Sequence, residues 1–155
     1  MAIENTLPLP LEVILPVIAA IAAFAVAGGY TGWVAKQNPG TKEMIDISNA
    51  VKEGAAAFLR REMKIIVPIA IGLSVIIGFF IGGSNGIAFA VGATLSAIAG
   101  IISLKVTVKA AVRAANATDS GLGKTFAIAF RGGATVGLAI PAMALVAIAI
   151  LYMIF

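Results

Sequence analysis

The charge of this chain of 155 residues is confined to a few segments, and that confinement limits its folds more than any motif does. All eleven Lys and Arg residues fall into two stretches: Lys36, Lys42, Lys52, Arg60, Arg61 and Lys64, then Lys105, Lys109, Arg113, Lys124 and Arg131. Between them, residues 65–104 carry no charge and are interrupted midway by Gly82-Gly83-Ser84-Asn85-Gly86. Unpaired backbone amides and carbonyls are too costly in lipid, so an apolar run of that length crosses a bilayer as helix. One crossing on each side of the break returns the chain to the side it left. Both basic stretches then share one side, which the positive-inside rule makes the cytoplasm.

Composition supports the membrane reading. Hydrophobic residues make up 61% of the chain and charged residues 12%. A small soluble domain of that make-up would expose large apolar patches. The net charge of +4 does not imply nucleic acid as a partner, because the cations flank apolar spans and read as topology signals and anionic-lipid contacts. The chain has no Cys and no His, which removes thiol chemistry, disulfides, an imidazole base and the usual zinc ligands. Met1-Ala2-Ile3-Glu4-Asn5-Thr6 has no positive segment, so no cleavable signal peptide is expected.

Four segments are long enough to cross about 30 Å of hydrocarbon at about 1.5 Å per residue. They lie near residues 11–35, 65–82, 87–104 and 132–155. Pro16 and Pro141 are expected to kink their helices, and Pro68 to sit in a first turn, where proline is tolerated. Pro39-Gly40 ends the first segment; Thr41 then suits an N-cap, with Glu43 in the first turn. Ile47, Ala50, Val51, Gly54, Ala55, Phe58 and Leu59 recur at helical spacing. With no breaker before the second span, one helix is expected from Thr41 to about Gly82. Lys105, Lys109 and Arg113 are spaced four apart and extend the third span to about Ala117, after which 116–123 reads as a turn. The expected fold is a single all-α integral membrane domain. Four helices cross, and the second and third extend into the cytoplasm as a long hairpin pair over 41–64 and 105–131. Both termini and the 82–86 turn then face outward from the cell membrane.

Small residues repeat every fourth position as Gly28 and Gly32, as Gly92, Ser96 and Gly100, and as Gly133 and Gly137. Such faces let helix backbones approach closely in lipid. They serve packing within this chain or against other helices, and the sequence leaves both open. Glu4, Glu12, Glu43, Asp46, Glu53, Glu62 and Asp119 are the only acids. None falls at mid-membrane, where ion carriers place a carboxylate, so ion transport by this chain alone is not expected. The densest polar cluster is Lys52, Glu53, Arg60, Arg61, Glu62 and Lys64, joined on the same side by Lys109, Arg113 and Arg131. It suits either an anionic substrate or headgroup, or a solvated helix face with intrahelical pairs. Arg131-Gly132-Gly133 lacks the strand and Lys-Ser/Thr pattern of a phosphate loop and reads as a packing contact.

The stretch Glu53-Gly54-Ala55-Ala56-Ala57-Phe58-Leu59-Arg60-Arg61-Glu62-Met63-Lys64 resembles the Gly-Ala-x-x-Phe-Leu-x-x-Glu-x-Lys signature near the start of membrane-bound, ion-pumping pyrophosphatases. Gly92-Ala93-Thr94-Leu95-Ser96-Ala97-Ile98-Ala99-Gly100 resembles their Gly-Ala-x-x-Ser-x-x-Ala-Gly helix. Arg113 falls at one of their arginines, and Ala129-Phe130-Arg131-Gly132-Gly133 with Gly137 is similar to the opening of their fourth helix. Ser103-Leu104 stands for a usual Gly-Met, and Ala111 for a usual Asn. The resemblance implies an outer, supporting layer of helices in a bacterial- or archaeal-type pump that moves H+ or Na+. It also implies that the Asp-rich magnesium and pyrophosphate motifs lie on later helices. Diphosphate chemistry with Mg2+ needs several clustered carboxylates, and the two aspartates of this chain, Asp46 and Asp119, lie in separate segments. No catalytic or metal-binding residue is therefore expected here, and Mg2+ only in a complete pump. The expected partners are the bilayer and other transmembrane helices or subunits, in an oligomer. The alternative is a non-enzymatic subunit or homo-oligomer of another ion-translocating complex.

Overall fold

The computed structural model describes residues 11–154. The outward placement of the N-terminus, Glu4 and the final residue of the 132–155 span lie outside the described residues. The element order is α1 (Leu11–Ala35), α2 (Lys42–Phe80), α3 (Gly83–Ala117), a 3-10 turn (Thr118–Ser120) and α4 (Leu122–Ile154). All four helices are long and apolar enough to cross a membrane.

Local chemistry sets the boundaries. α1 ends before Pro39, which disfavours helical geometry in the residue preceding it. The Thr41 hydroxyl then accepts the Met44 N–H at 3.4 Å and caps α2. From there α2 runs unbroken for 39 residues, about 58 Å at 1.5 Å per residue. It continues through Pro68, which is thus interior to a helix and not in its first turn; the missing N–H leaves the Lys64 carbonyl without its usual partner. Pro16 and Pro141 also lie inside helices.

The glycine-rich break is shorter than expected. Only Ile81 and Gly82 separate α2 from α3. The Asn85 and Gly86 amides donate to the Gly82 carbonyl at 3.0 and 3.2 Å, so helix α3 starts at Gly83, within the expected turn. Gly82 turns the chain at φ 146°, a conformation that glycine tolerates. The second basic stretch has the expected helix and turn. It runs to Ala117, reverses through the 3-10 turn and Gly121 (φ 105°), and re-enters helix at Leu122. The fourth helix is therefore extended too.

The helices form a row. α1 packs on α4, α4 on α3 and α3 on α2, while α1 touches α3 over a short stretch and α2 meets neither α1 nor α4. On α1 the buried residues are Val13, Ala20, Ala27 and Val34, seven apart. α4 buries Ile128, Thr135, Ala142 and Ala149, again seven apart, together with Ala147 and with Gly132, which lies against Ala110 of α3. A seven-residue repeat is that of a left-handed coiled seam. The small side chains on it give close backbone approach, which drives association where burial does not. α2 contributes no buried residue. It turns Met44, Ser48, Ala55, Leu59 and Met63 partly inward, while Ile47, Val51 and Phe58 stay 66, 54 and 65% exposed. The apolar repeat read along α2 is thus only half engaged within the chain.

Candidate functional site

A buried cluster joins three helices at the basic end of the row. It consists of Val34, Ala110, Ala117 and Ile128, with Trp33 and Ala114 against it. Gly132 admits α3 at this crossing: a side chain placed on it would collide with the Ala110 Cβ. Two of the cations singled out from the sequence close over this cluster. Arg113 donates from Nε to the Gln37 carbonyl at 3.1 Å, from Nη2 to the Ala35 carbonyl at 3.4 Å and from Nη1 to the Lys109 carbonyl at 2.9 Å. The last carbonyls of a helix lack intrahelical partners and form the negative end of its dipole, so a guanidinium suits that place. The Arg131 guanidinium carbon lies 3.8 Å from the Trp33 ring centroid and 5.9 Å from that of Tyr30, a cation–π contact joining α4 to α1.

The linker between α1 and α2 is held to α3 beside them. Asn116 donates to the Asn38 carbonyl at 3.2 Å, and the Asn38 side chain accepts the Gly40 N–H at 2.9 Å. Gly40 has φ 98°, and a side chain there would meet Met44 and Asn116, so the turn requires glycine. Trp33, Tyr30, Gln37 and Asn116 were not singled out in the sequence. The signal available was chemical: an Arg and an Asn three residues apart near the end of α3 can satisfy a helix C-terminus.

The other cluster residues do not converge on this junction. Lys52, Glu53, Arg60, Arg61 and Lys64 are exposed along α2, and Lys109 is exposed on α3. Arg60 and Lys64 line one groove between α2 and α3 with Lys105. Glu62 is half-buried and lines a different groove with Ser96 and Gly100. Outside the membrane spans, the Glu43 carboxyl is held below the usual carboxylate range. Its own backbone N–H lowers it most, followed by a hydrogen bond with Thr41.

Among the described residues, the glycines of the small-residue faces have open space beside them. A Cβ on Gly28, Gly32, Gly92, Gly100, Gly133 or Gly137 would find no atom within 4 Å, and Ser96 is exposed. Gly92, Ser96 and Gly100 line an apolar groove of about 470 Å3, with Met143, Ala144 and Ala147 on its α4 side. The close approaches within the chain are made by Gly132 and by Gly86, where an added side chain would strike the backbones of Ser74 and Gly78. Ser74 secures that second crossing by donating to the Gly86 carbonyl at 2.8 Å. At the far end of the row, Tyr152 donates to the Glu12 carboxylate at 3.1 Å, tying the end of α4 to the start of α1.

This arrangement clamps helices together. Among the described residues no three acidic side chains gather to hold a metal ion.

The profile of the family described as "Inorganic H+ pyrophosphatase" matches residues 21–155. The chain is 36% identical over 140 residues to a "K(+)-insensitive pyrophosphate-energized proton pump" of Methanosarcina mazei, covering 89% of this chain and 21% of that protein. It is 34% identical over 137 residues to a "K(+)-stimulated pyrophosphate-energized sodium pump" of Thermotoga maritima, covering 87% and 19%. A "K(+)-insensitive pyrophosphate-energized proton pump 2" of Moorella thermoacetica is 37% identical over 145 residues, covering 92% and 21%. The chain spans about a fifth of the length of these relatives.

Proposed function

The chain belongs to the inorganic H+ pyrophosphatase family, and from that premise we propose that its four helices are a scaffold and assembly part of a pyrophosphate-driven ion pump. The observation that carries this reading is the match over residues 21–155 together with a span of only 21% of the Methanosarcina mazei relative. The chain supplies helices and clamps, and the catalytic carboxylates come from outside it. Mg2+ and pyrophosphate belong to the completed assembly, and the transported ion is H+ or Na+, as the names of the relatives suggest. In this reading the unit is integral to the cell membrane. The basic ends of α2 and α3 form a cytoplasmic hairpin, and the termini face outward, as the one-sided cations favour. The unfilled faces of Gly92, Ser96 and Gly100 and of Gly133 and Gly137 receive other transmembrane helices.

Phosphate release tests the proposal. The purified chain with Mg2+ and pyrophosphate is expected to give no turnover above a no-protein control. Co-expression with the remaining helices of a relative such as the Methanosarcina mazei pump should give a stable complex that hydrolyses pyrophosphate. Turnover by the chain alone would overturn the scaffold reading. A second reading, a non-enzymatic homo-oligomer within another ion-translocating complex, draws on the same unfilled faces. It predicts a large assembly of this chain alone in native mass spectrometry, where the scaffold reading predicts a monomer that binds the added helices.

A further inference from the structure

One groove between α2 and α3 combines features that the scaffold role does not use. It has a volume of about 650 Å3 and is lined by Arg60, Lys64 and Lys105, with Leu59, Met63, Val67 and Ile101 among its apolar residues. Lys64 and Lys105 bound the charge-free run of residues 65–104 on two neighbouring antiparallel helices. They therefore sit at one depth, where hydrocarbon gives way to headgroups. Arg60 is one helical turn before Lys64 on the same face of α2. No carboxylate lines this groove; Glu62 lines another groove, with Ser96 and Gly100. The result is three cations from two helices at the mouth, with Leu59 and Met63 beside them, and an apolar channel leading into the hydrocarbon along Val67, Pro68 and Ile101 and continued by Ile71 and Ile98.

We propose that this groove is a binding site for one anionic phospholipid, with the phosphate held by Arg60, Lys64 and Lys105 and an acyl chain running into the hydrocarbon along Val67, Pro68 and Ile101 and on past Ile71 and Ile98. The chemistry of the lining selects this occupant. A bare inorganic phosphate would satisfy the cations and leave the channel to water. An apolar helix would fill the channel and leave three cations facing it. Basic clefts between transmembrane helices at the cytoplasmic surface favour anionic headgroups for this reason. The arginine contributes two-point contact with phosphate oxygens, and the lysines act as point charges. The site does not depend on the pump reading, since it is complete within these two helices.

The test is lipid retention by the full chain in detergent, followed by native mass spectrometry with phosphatidylglycerol and phosphatidylcholine of matched chains. Phosphatidylglycerol should be retained and phosphatidylcholine lost, and retention should fall as salt rises. The combined change Arg60→Gln, Lys64→Gln and Lys105→Gln should weaken phosphatidylglycerol binding about 100-fold, from the loss of three cations near a membrane surface. Lys52→Gln with Lys109→Gln, outside the groove, should change it less than about threefold. Equal retention of the two lipids, or unchanged binding by the triple variant, would overturn the site. Displacement of the lipid by stoichiometric inorganic pyrophosphate would reassign the cations to a free phosphate and also overturn it. Circular dichroism checks that the triple variant stays helical; if it does not, the headgroup and salt comparisons on the unaltered chain decide.

Discussion

Two adjacent glycines show how much hangs on single positions. Gly133 stands out in the sequence because it repeats with Gly137, yet it faces open space. Gly132 belongs to no such repeat and is the residue that lets α3 cross α4, with Ala110 directly opposite. Substitution separates them. Gly132→Leu should cost on the order of 1–3 kcal/mol through overpacking, and Gly133→Leu less than about 0.5 kcal/mol in the isolated chain. Thermal unfolding in detergent reads the difference; equal loss in both variants would refute the crossing. The small-residue repeat was legible as a face, but its partner was not. Which side of a helix meets which neighbour depends on tertiary placement, and spacing along one helix does not encode that. Arg113 and Arg131 were legible as topology signals, as members of the polar cluster and as points of family resemblance, but not as clamps on α1. Their contacts with the end of α1 depend on residues about 80 and 100 positions away and leave no local pattern.

At the level of the element, helix ends were the most readable feature. Thr41 caps α2 as its side chain and position suggest, and Pro39 with Gly40 forces the preceding turn. The helical start of α3 was not legible because Gly-Gly-Ser-Asn-Gly has the composition of a loop. Asn85 and Gly86 instead close the first helical turn onto Gly82. The α1 seam was also missed. Val13, Ala20, Ala27 and Val34 recur at seven, but every other face of α1 is apolar too, so nothing stands out against them. The α2 cap gives a pH prediction. The Glu43 carboxyl is lowered by its own backbone N–H and then by Thr41, so the folded helix favours the charged form. That support is complete above the unfolded carboxylate range, near pH 4.3 for glutamate. It is lost as pH falls through the lower folded value. Amide exchange in the first turn of α2 should show increased opening below that range in the natural chain. Glu43→Gln should remove this acid-dependent step, and a step that persists in the variant would assign it to another group.

The whole molecule is an open row and not a closed bundle. α1, α4 and α3 share a small-residue core at the basic end, and α2 rides on the edge with no residue buried. Four helices long and apolar enough to cross a membrane were legible because hydropathy fixes them directly. The order α1–α4–α3–α2 was not, since four apolar helices of similar length can pack in several orders. An open edge and unfilled small-residue faces suit a unit built to join others. The span of only about a fifth of its relatives' length fits the same view. Scaffold role and clamp geometry alike rest on both basic stretches occupying one side of the membrane. Single-cysteine labelling tests that most directly, because the chain has no cysteine of its own. In intact cells, a membrane-impermeant maleimide should label Ser84→Cys. It should reach Ser48→Cys and Ser120→Cys only after the membrane is opened. Labelling of Ser48→Cys or Ser120→Cys from outside, or of Ser84→Cys only after opening, would contradict the account.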